Sequence, residues 1–115
     1  MNFEGFIIHH TACTERDHQE EDWDFMILRD GSVKAAPSLR HPEYIHICLE
    51  GDFNLEYSLM DFYQKRQLFQ ASKIIIELSR RYEISPLYLF PHHDTCPGIN
   101  FPWNALVIYP AGGYH

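Results

Sequence analysis

Two short stretches hold most of the side chains able to do chemistry. Ile7-Ile8-His9-His10-Thr11-Ala12 places two imidazoles and a hydroxyl where an apolar run stops. Phe90-Pro91-His92-His93-Asp94-Thr95-Cys96-Pro97-Gly98 puts two imidazoles, a carboxylate, a hydroxyl and a thiol in one turn framed by prolines. Catalytic zinc takes three protein ligands from imidazole, thiolate or carboxylate and keeps a fourth position for water. One imidazole from each His-His pair together with the Cys96 thiolate makes such a set, with His9, His92 and Cys96 as candidates. A thiolate on zinc is deprotonated outright, and a water there falls to a pKa of about 7. A solitary histidine is more often a surface or hydrogen-bonded core residue than a ligand. A metal centre therefore requires the two stretches to meet around one ion, and the intervening chain must arrange this.

The elements that could do so are legible in the pattern. Phe6-Ile7-Ile8 reads as a buried strand ending at the first histidine pair. Trp23 to Leu28 resumes an apolar pattern, and Arg29-Asp30-Gly31-Ser32 supplies a hairpin turn before a returning strand over Val33 to Ala36. Tyr44-Ile45-His46-Ile47-Cys48-Leu49 reads as a central strand, closed by the turn residues Gly51-Asp52-Phe53-Asn54. Ser58-Leu59-Met60-Asp61 resembles a capping box. Beyond it Leu68, Ala71, Ile75, Leu78 and Tyr82 recur at three- and four-residue steps, which predicts a helix over Leu59 to Tyr82 packed on the sheet. Ile84-Ser85-Pro86 ends it. Leu87 to Phe90 is a short strand leading into the second histidine pair, and Ala105 to Tyr109 is apolar enough to pack. The fold class is α/β, a single domain over residues 1–115 with a mixed sheet and one long helix.

The remaining reactive groups have plainer readings. Cys48, inside an apolar strand, is a small buried hydrophobe. Cys13 is incidental, and His18 and His115 are solvated. Trp23, Phe25 and Trp103 serve packing more readily than ligand binding.

Bulk properties bound the function. The chain has 115 residues, 45% of them hydrophobic, enough for a core without disulfide staples. Its net charge of -7 argues against nucleic acid or an anionic membrane surface as partner. Three cysteines without framework spacing point to thiols rather than a disulfide scaffold. The first residues lack the basic head, apolar run and cleavage site of a signal peptide. No apolar run approaches the ~20 residues of a membrane span. The expectation is a product made soluble in the cytoplasm, which would act elsewhere only after release or export. No obligate protein partner is expected.

Taken in order, four segments resemble the zinc-dependent N-acetylmuramoyl-L-alanine amidases, the family of amidase-type phage lysozymes and peptidoglycan recognition proteins. They are Ile7 to Ala12; Trp23-Asp24-Phe25-Met26-Ile27-Leu28-Arg29-Asp30-Gly31-Ser32-Val33; Ile45 to Asn54; and Gln67-Leu68 followed by His92 to Gly98 with Phe101-Pro102-Trp103. The likeness spans nearly the whole chain, trimmed relative to the family between Ala12 and Trp23. It implies zinc bound by His9, His92 and Cys96, the first histidine of each pair, with His10 and His93 as the fallback choices. It implies Thr95 as the oxyanion donor. Trp23, at the position of the family's tyrosine, is expected at the substrate, with His10 and with His41, which aligns with a loop histidine near the family's cleft. The implied reaction is hydrolysis of the amide between N-acetylmuramic acid and L-alanine, with peptidoglycan or a muropeptide as partner. Departures accompany the likeness. Cys48 stands where active members place a glutamate, and Trp23 where they place a tyrosine. An indole donates but accepts no proton. Asp22 or Asp24 could supply a carboxylate base, but strand alternation sends both to the face opposite that of Trp23. The alternative expectation is therefore a catalytically impaired domain that binds peptidoglycan fragments.

Overall fold

Alternation along the two longest strands decides what each face of the sheet carries. A computed structural model of the chain describes residues 3–12, 23–39, 43–92 and 96–106. Within them lie strands β1 (Gly5–His10), β2 (Phe25–Ile27), β3 (Val33–Ala35), β4 (Tyr44–Leu49) and β5 (Leu89–Pro91), and the helix α1 (Phe62–Tyr82). The strands form one sheet in the order β3-β2-β4-β1-β5. β1 is parallel to β4 and β5, and β2 is parallel to β4 but antiparallel to β3. The sheet is therefore mixed, with the expected strand over Tyr44–Leu49 at its centre.

Phe6 and Ile8 of β1 pair in register with Ile45 and Ile47 of β4, and all four are fully buried. With Ile27 and Leu49 they form the sheet's share of the core, and α1 supplies Leu68, Ala71, Ile75 and Leu78. Because side chains alternate along a strand, Ile7 and His9 of β1 lie on the other face. There they share a register with His46 and Cys48 of β4. One face thus packs the helix, and the opposite face carries the polar chemistry.

The helix is also tied to the sheet by hydrogen bonds. Gln67, fully buried, donates through Nε2 to Ile27 O at 3.0 Å and to Glu50 O at 2.9 Å. These bonds fix the ends of β2 and β4 against α1.

Several boundaries differ from expectation: β1 runs from Gly5 through His10, β2 is confined to Phe25–Ile27, β3 stops at Ala35, and two further differences have a visible cause. α1 starts at Phe62 rather than Leu59, and its capping box is built by Asp61 and Gln64 rather than by Ser58 and Asp61. The Asp61 carboxylate accepts from Gln64 N at 2.8 Å, and the Gln64 side chain accepts from Asp61 N at 3.0 Å. Ser58 and Leu59 belong instead to a 3-10 turn over Tyr57–Leu59, and Leu59 is largely exposed. The closing strand begins at Leu89 rather than Leu87, because Tyr88 N turns back to Ser85 O. At the helix C-terminus Glu83 takes the left-handed conformation, with φ of 58°, one residue before Ile84-Ser85-Pro86. Of the apolar segment Ala105–Tyr109, residues up to Leu106 fall in a 3-10 turn over Trp103–Leu106, and the remainder lies outside the described residues. Among the described residues no helix is long and apolar enough to cross a membrane.

Candidate metal centre

β1 and β5 are hydrogen-bonded neighbours, with Ile8 opposite Pro91. Because they run parallel, His9 near the end of β1 and His92 just past β5 emerge at the same rim of the sheet. The two histidine stretches thus meet through neighbouring strands. That rim lies at the carboxyl ends of β1 and β5, where ligand sites of parallel sheets commonly form.

The backbones of His92 and Cys96 are bonded directly to each other. His92 N–H is shared between Ile8 O at 3.2 Å and Cys96 O at 2.9 Å. The first bond continues the β1–β5 pairing, and the second draws Cys96 back beside His92. The Cys96–Pro97 peptide is cis, and Gly98 follows with φ of 107°.

Among the described residues His9, His92 and Cys96 form a group whose donor atoms all lie within 4.8 Å of one another. Tetrahedral zinc with ordinary bond lengths separates its N and S ligands by about 3.3–3.6 Å. No pair of these donors therefore has to close by more than about 1.5 Å to grip one ion. The His9 and His92 rings are stacked, with centroids 4.2 Å apart and planes 29° from parallel. His92 Nδ1 is shielded from solvent, His9 is 1% exposed and Cys96 is fully buried. The Cys96 sulfur lies 3.4 Å from His10 N, an amide placed to donate to a thiolate. Two imidazoles and a thiolate suit zinc, and the set leaves a coordination position open.

The other expected site residues are distributed differently. His10 is 3% exposed and on the core side of β1. Its Nδ1 accepts from Phe53 N at 2.9 Å, so it holds the turn after β4 and offers a substrate no accessible surface. Thr11 acts beside it: Oγ1 accepts from Gly51 N at 2.8 Å. Trp23 is half-buried just before β2. Asp24 is buried and holds both backbone groups of His46: its Oδ2 accepts from His46 N, and its N donates to His46 O, each at 2.8 Å. It is thereby engaged in scaffolding. Cys48 is 2% exposed and pairs in register with His9. Thr95, His93 and His41 lie outside the described residues, as do Cys13, His18 and His115.

One residue of the site had escaped the sequence reading. His46 Nδ1 lies 2.8 Å from His9 Nε2. Its position two residues before Cys48 on one strand face was readable, but the parallel register with β1 that sets it beside His9 was not.

Comparison with known proteins adds the fold's relatives. No protein-family model and no curated protein sequence matches the chain. Solved structures do. N-acetylmuramoyl-L-alanine amidase LysC from Clostridium intestinale URNW superimposes with a TM-score of 0.63 at 22% identity, covering 92% of this chain and 83% of that one. The endolysin N-acetylmuramoyl-L-alanine amidase LysCS from the same organism gives a TM-score of 0.62 at 24% identity, covering 92% and 82%. The chain has the fold of these amidases.

Proposed function

We propose that this chain is a zinc-dependent N-acetylmuramoyl-L-alanine amidase that hydrolyses the bond between N-acetylmuramic acid and L-alanine in peptidoglycan. The observation that carries the reading is the convergence of His9, His92 and Cys96 at the rim of a sheet whose fold matches two N-acetylmuramoyl-L-alanine amidases. Zinc held there would supply a Lewis acid for the scissile carbonyl and lower the pKa of an attacking water. The chain's part is to hold the donors. β1 delivers His9, β5 delivers His92, and the His92 N–H to Cys96 O bond sets the thiolate beside them. Thr95, next to Cys96 in the chain, is the proposed donor to the tetrahedral oxyanion. Trp23 and His41 are the proposed substrate contacts. The reading takes residues 1–115 as one catalytic domain whose partner is peptidoglycan or a muropeptide, met at the cell wall.

A second reading is favoured by Cys48. It is buried beside His9 where a carboxylate base would serve, and a buried thiol is a poor substitute. In that case the domain binds peptidoglycan fragments without cleaving them. One assay separates the two: purified peptidoglycan is incubated with zinc-loaded protein, and new L-alanine amino termini are labelled and counted. The enzyme reading expects release that rises with time and stops on chelation. Binding to peptidoglycan with no release above a buffer control would establish the second reading instead.

A further inference from the structure

Two neutral imidazoles whose nitrogens lie 2.8 Å apart share one proton, so one nitrogen donates and the other accepts. The two arrangements differ in what they leave on His9. If His46 Nδ1 donates, His9 Nε2 spends its lone pair as acceptor and its proton sits on Nδ1. Neither nitrogen of His9 then has a lone pair for a metal. If His9 Nε2 donates, the lone pair lies on His9 Nδ1, the nitrogen that does not face His46. Only the second arrangement agrees with His9 as a ligand. It leaves His46 with its own proton on Nε2.

We infer that His46 is a positioning residue that fixes His9 in the tautomer binding metal through Nδ1. This rests on the metal-centre reading of His9, His92 and Cys96. His46 does not belong to that donor group, and the structure gives it the support such a role requires. Its backbone is clamped on both sides by the buried Asp24, through His46 N to Asp24 Oδ2 and Asp24 N to His46 O. The ring planes of His9 and His46 meet at 44° with centroids 5.0 Å apart, an edge-on approach that suits an N–H to N bond rather than stacking. The side chain is half-buried, so the acceptor is partly sheltered from competing water. Hydrogen-bond partners of this kind set the orientation and basicity of metal-bound imidazoles, and losing one typically lowers metal affinity about 10–100-fold.

The test uses the full chain loaded with cadmium-113 in place of zinc, together with zinc affinity measured by competition against a chromophoric chelator. Nitrogen-15 spectra of the histidine side chains should show cadmium coupling at His9 Nδ1 and a proton on His9 Nε2. His46→Ala should weaken zinc binding about 10–100-fold and broaden the His9 Nε2 proton signal through exchange. His46→Asn, whose side-chain oxygen can take the place of Nδ1 as acceptor, should restore most of both. Coupling at His9 Nε2 in the wild-type protein would overturn the inference while leaving the metal centre intact. So would a folded His46→Ala protein, verified by circular dichroism, with unchanged affinity and unchanged His9 signals. Absence of cadmium coupling at His9, His92 and Cys96 alike would remove the metal-centre reading itself, and the inference with it.

Discussion

Gly98 offers the sharpest link between backbone conformation and the site, because it lies two residues beyond Cys96. Its φ is 107°, a region an L side chain enters at a cost of roughly 1–2 kcal/mol. A Cβ there would also overlap Asn54 at its Cβ, Cγ and Oδ1. Asn54 Oδ1 accepts from Asn100 N at 2.8 Å, so displacing that side chain breaks a further bond, worth about 0.5–1.5 kcal/mol net. Gly98→Ala should therefore destabilise the fold by about 2–3 kcal/mol. With an unfolding entropy of about 2.1 cal/mol/K per residue, a chain of this length should lose about 8–12 °C in Tm. Thermal unfolding followed by far-ultraviolet circular dichroism measures this directly. Asn54→Gly in the same background removes the collision but not the backbone strain. The double variant should therefore lie closer to the single variant Asn54→Gly than Gly98→Ala lies to the wild type. A Gly98→Ala protein melting within about 2 °C of wild type would refute the geometry assigned to this turn.

Other predictions follow from the same contacts. Gln67→Leu removes the two bonds from α1 to the ends of β2 and β4, and should lower stability by roughly 1–3 kcal/mol in urea unfolding, with the m-value unchanged. The Arg29 guanidinium, 2.7 Å from Asp61, holds the Asp61 carboxyl below the usual carboxylate range, with the Gln64 amide adding to the effect. Its folded pKa being depressed, the stability it contributes is complete above the unfolded value near 3.8 and fades as pH falls through the lower folded value. Carbon-13 titration should show the Asp61 midpoint rising in Arg29→Ala; an unmoved midpoint would show the pair to be inconsequential in solution. Trp23→Tyr restores a group that can accept a proton and should raise amidase turnover. No gain with zinc still bound would place the base elsewhere. Cys96→Ala should abolish release of L-alanine amino termini, and retained activity would remove Cys96 from the mechanism.

How much of this was readable beforehand depends on whether the signal was local or long-range. The central strand Tyr44–Leu49 and the C-terminal end of α1 follow from alternation and from three- and four-residue spacing, and both stand as expected. The start of α1 lies three residues later than expected because the capping-box pattern of Ser58 to Asp61 is not the one the helix uses. In the fold Leu59 and Phe62 are both largely exposed, and the start is decided by which carboxylate reaches the third amide, that of Gln64. His9, His92 and Cys96 could be nominated from residue type, but their meeting depends on β1 lying beside β5, a pairing between strands about eighty residues apart. His46 and His10 show the same limit from two sides. Neither its partner His9 nor the Phe53 amide is near in sequence, so the roles of these two histidines emerge only once the parallel register is known.

The central claim is that His9, His92 and Cys96 together hold one zinc ion. The direct measurement is metal content, by plasma emission spectroscopy, of protein purified without chelators and dialysed against zinc-free buffer, for the wild type and each single alanine substitution. The wild type should retain about one equivalent of zinc, as a three-ligand site requires, and each substitution should retain far less while still folded. A wild-type protein holding less than about half an equivalent, or a Cys96→Ala protein holding as much zinc as the wild type, would contradict the claim.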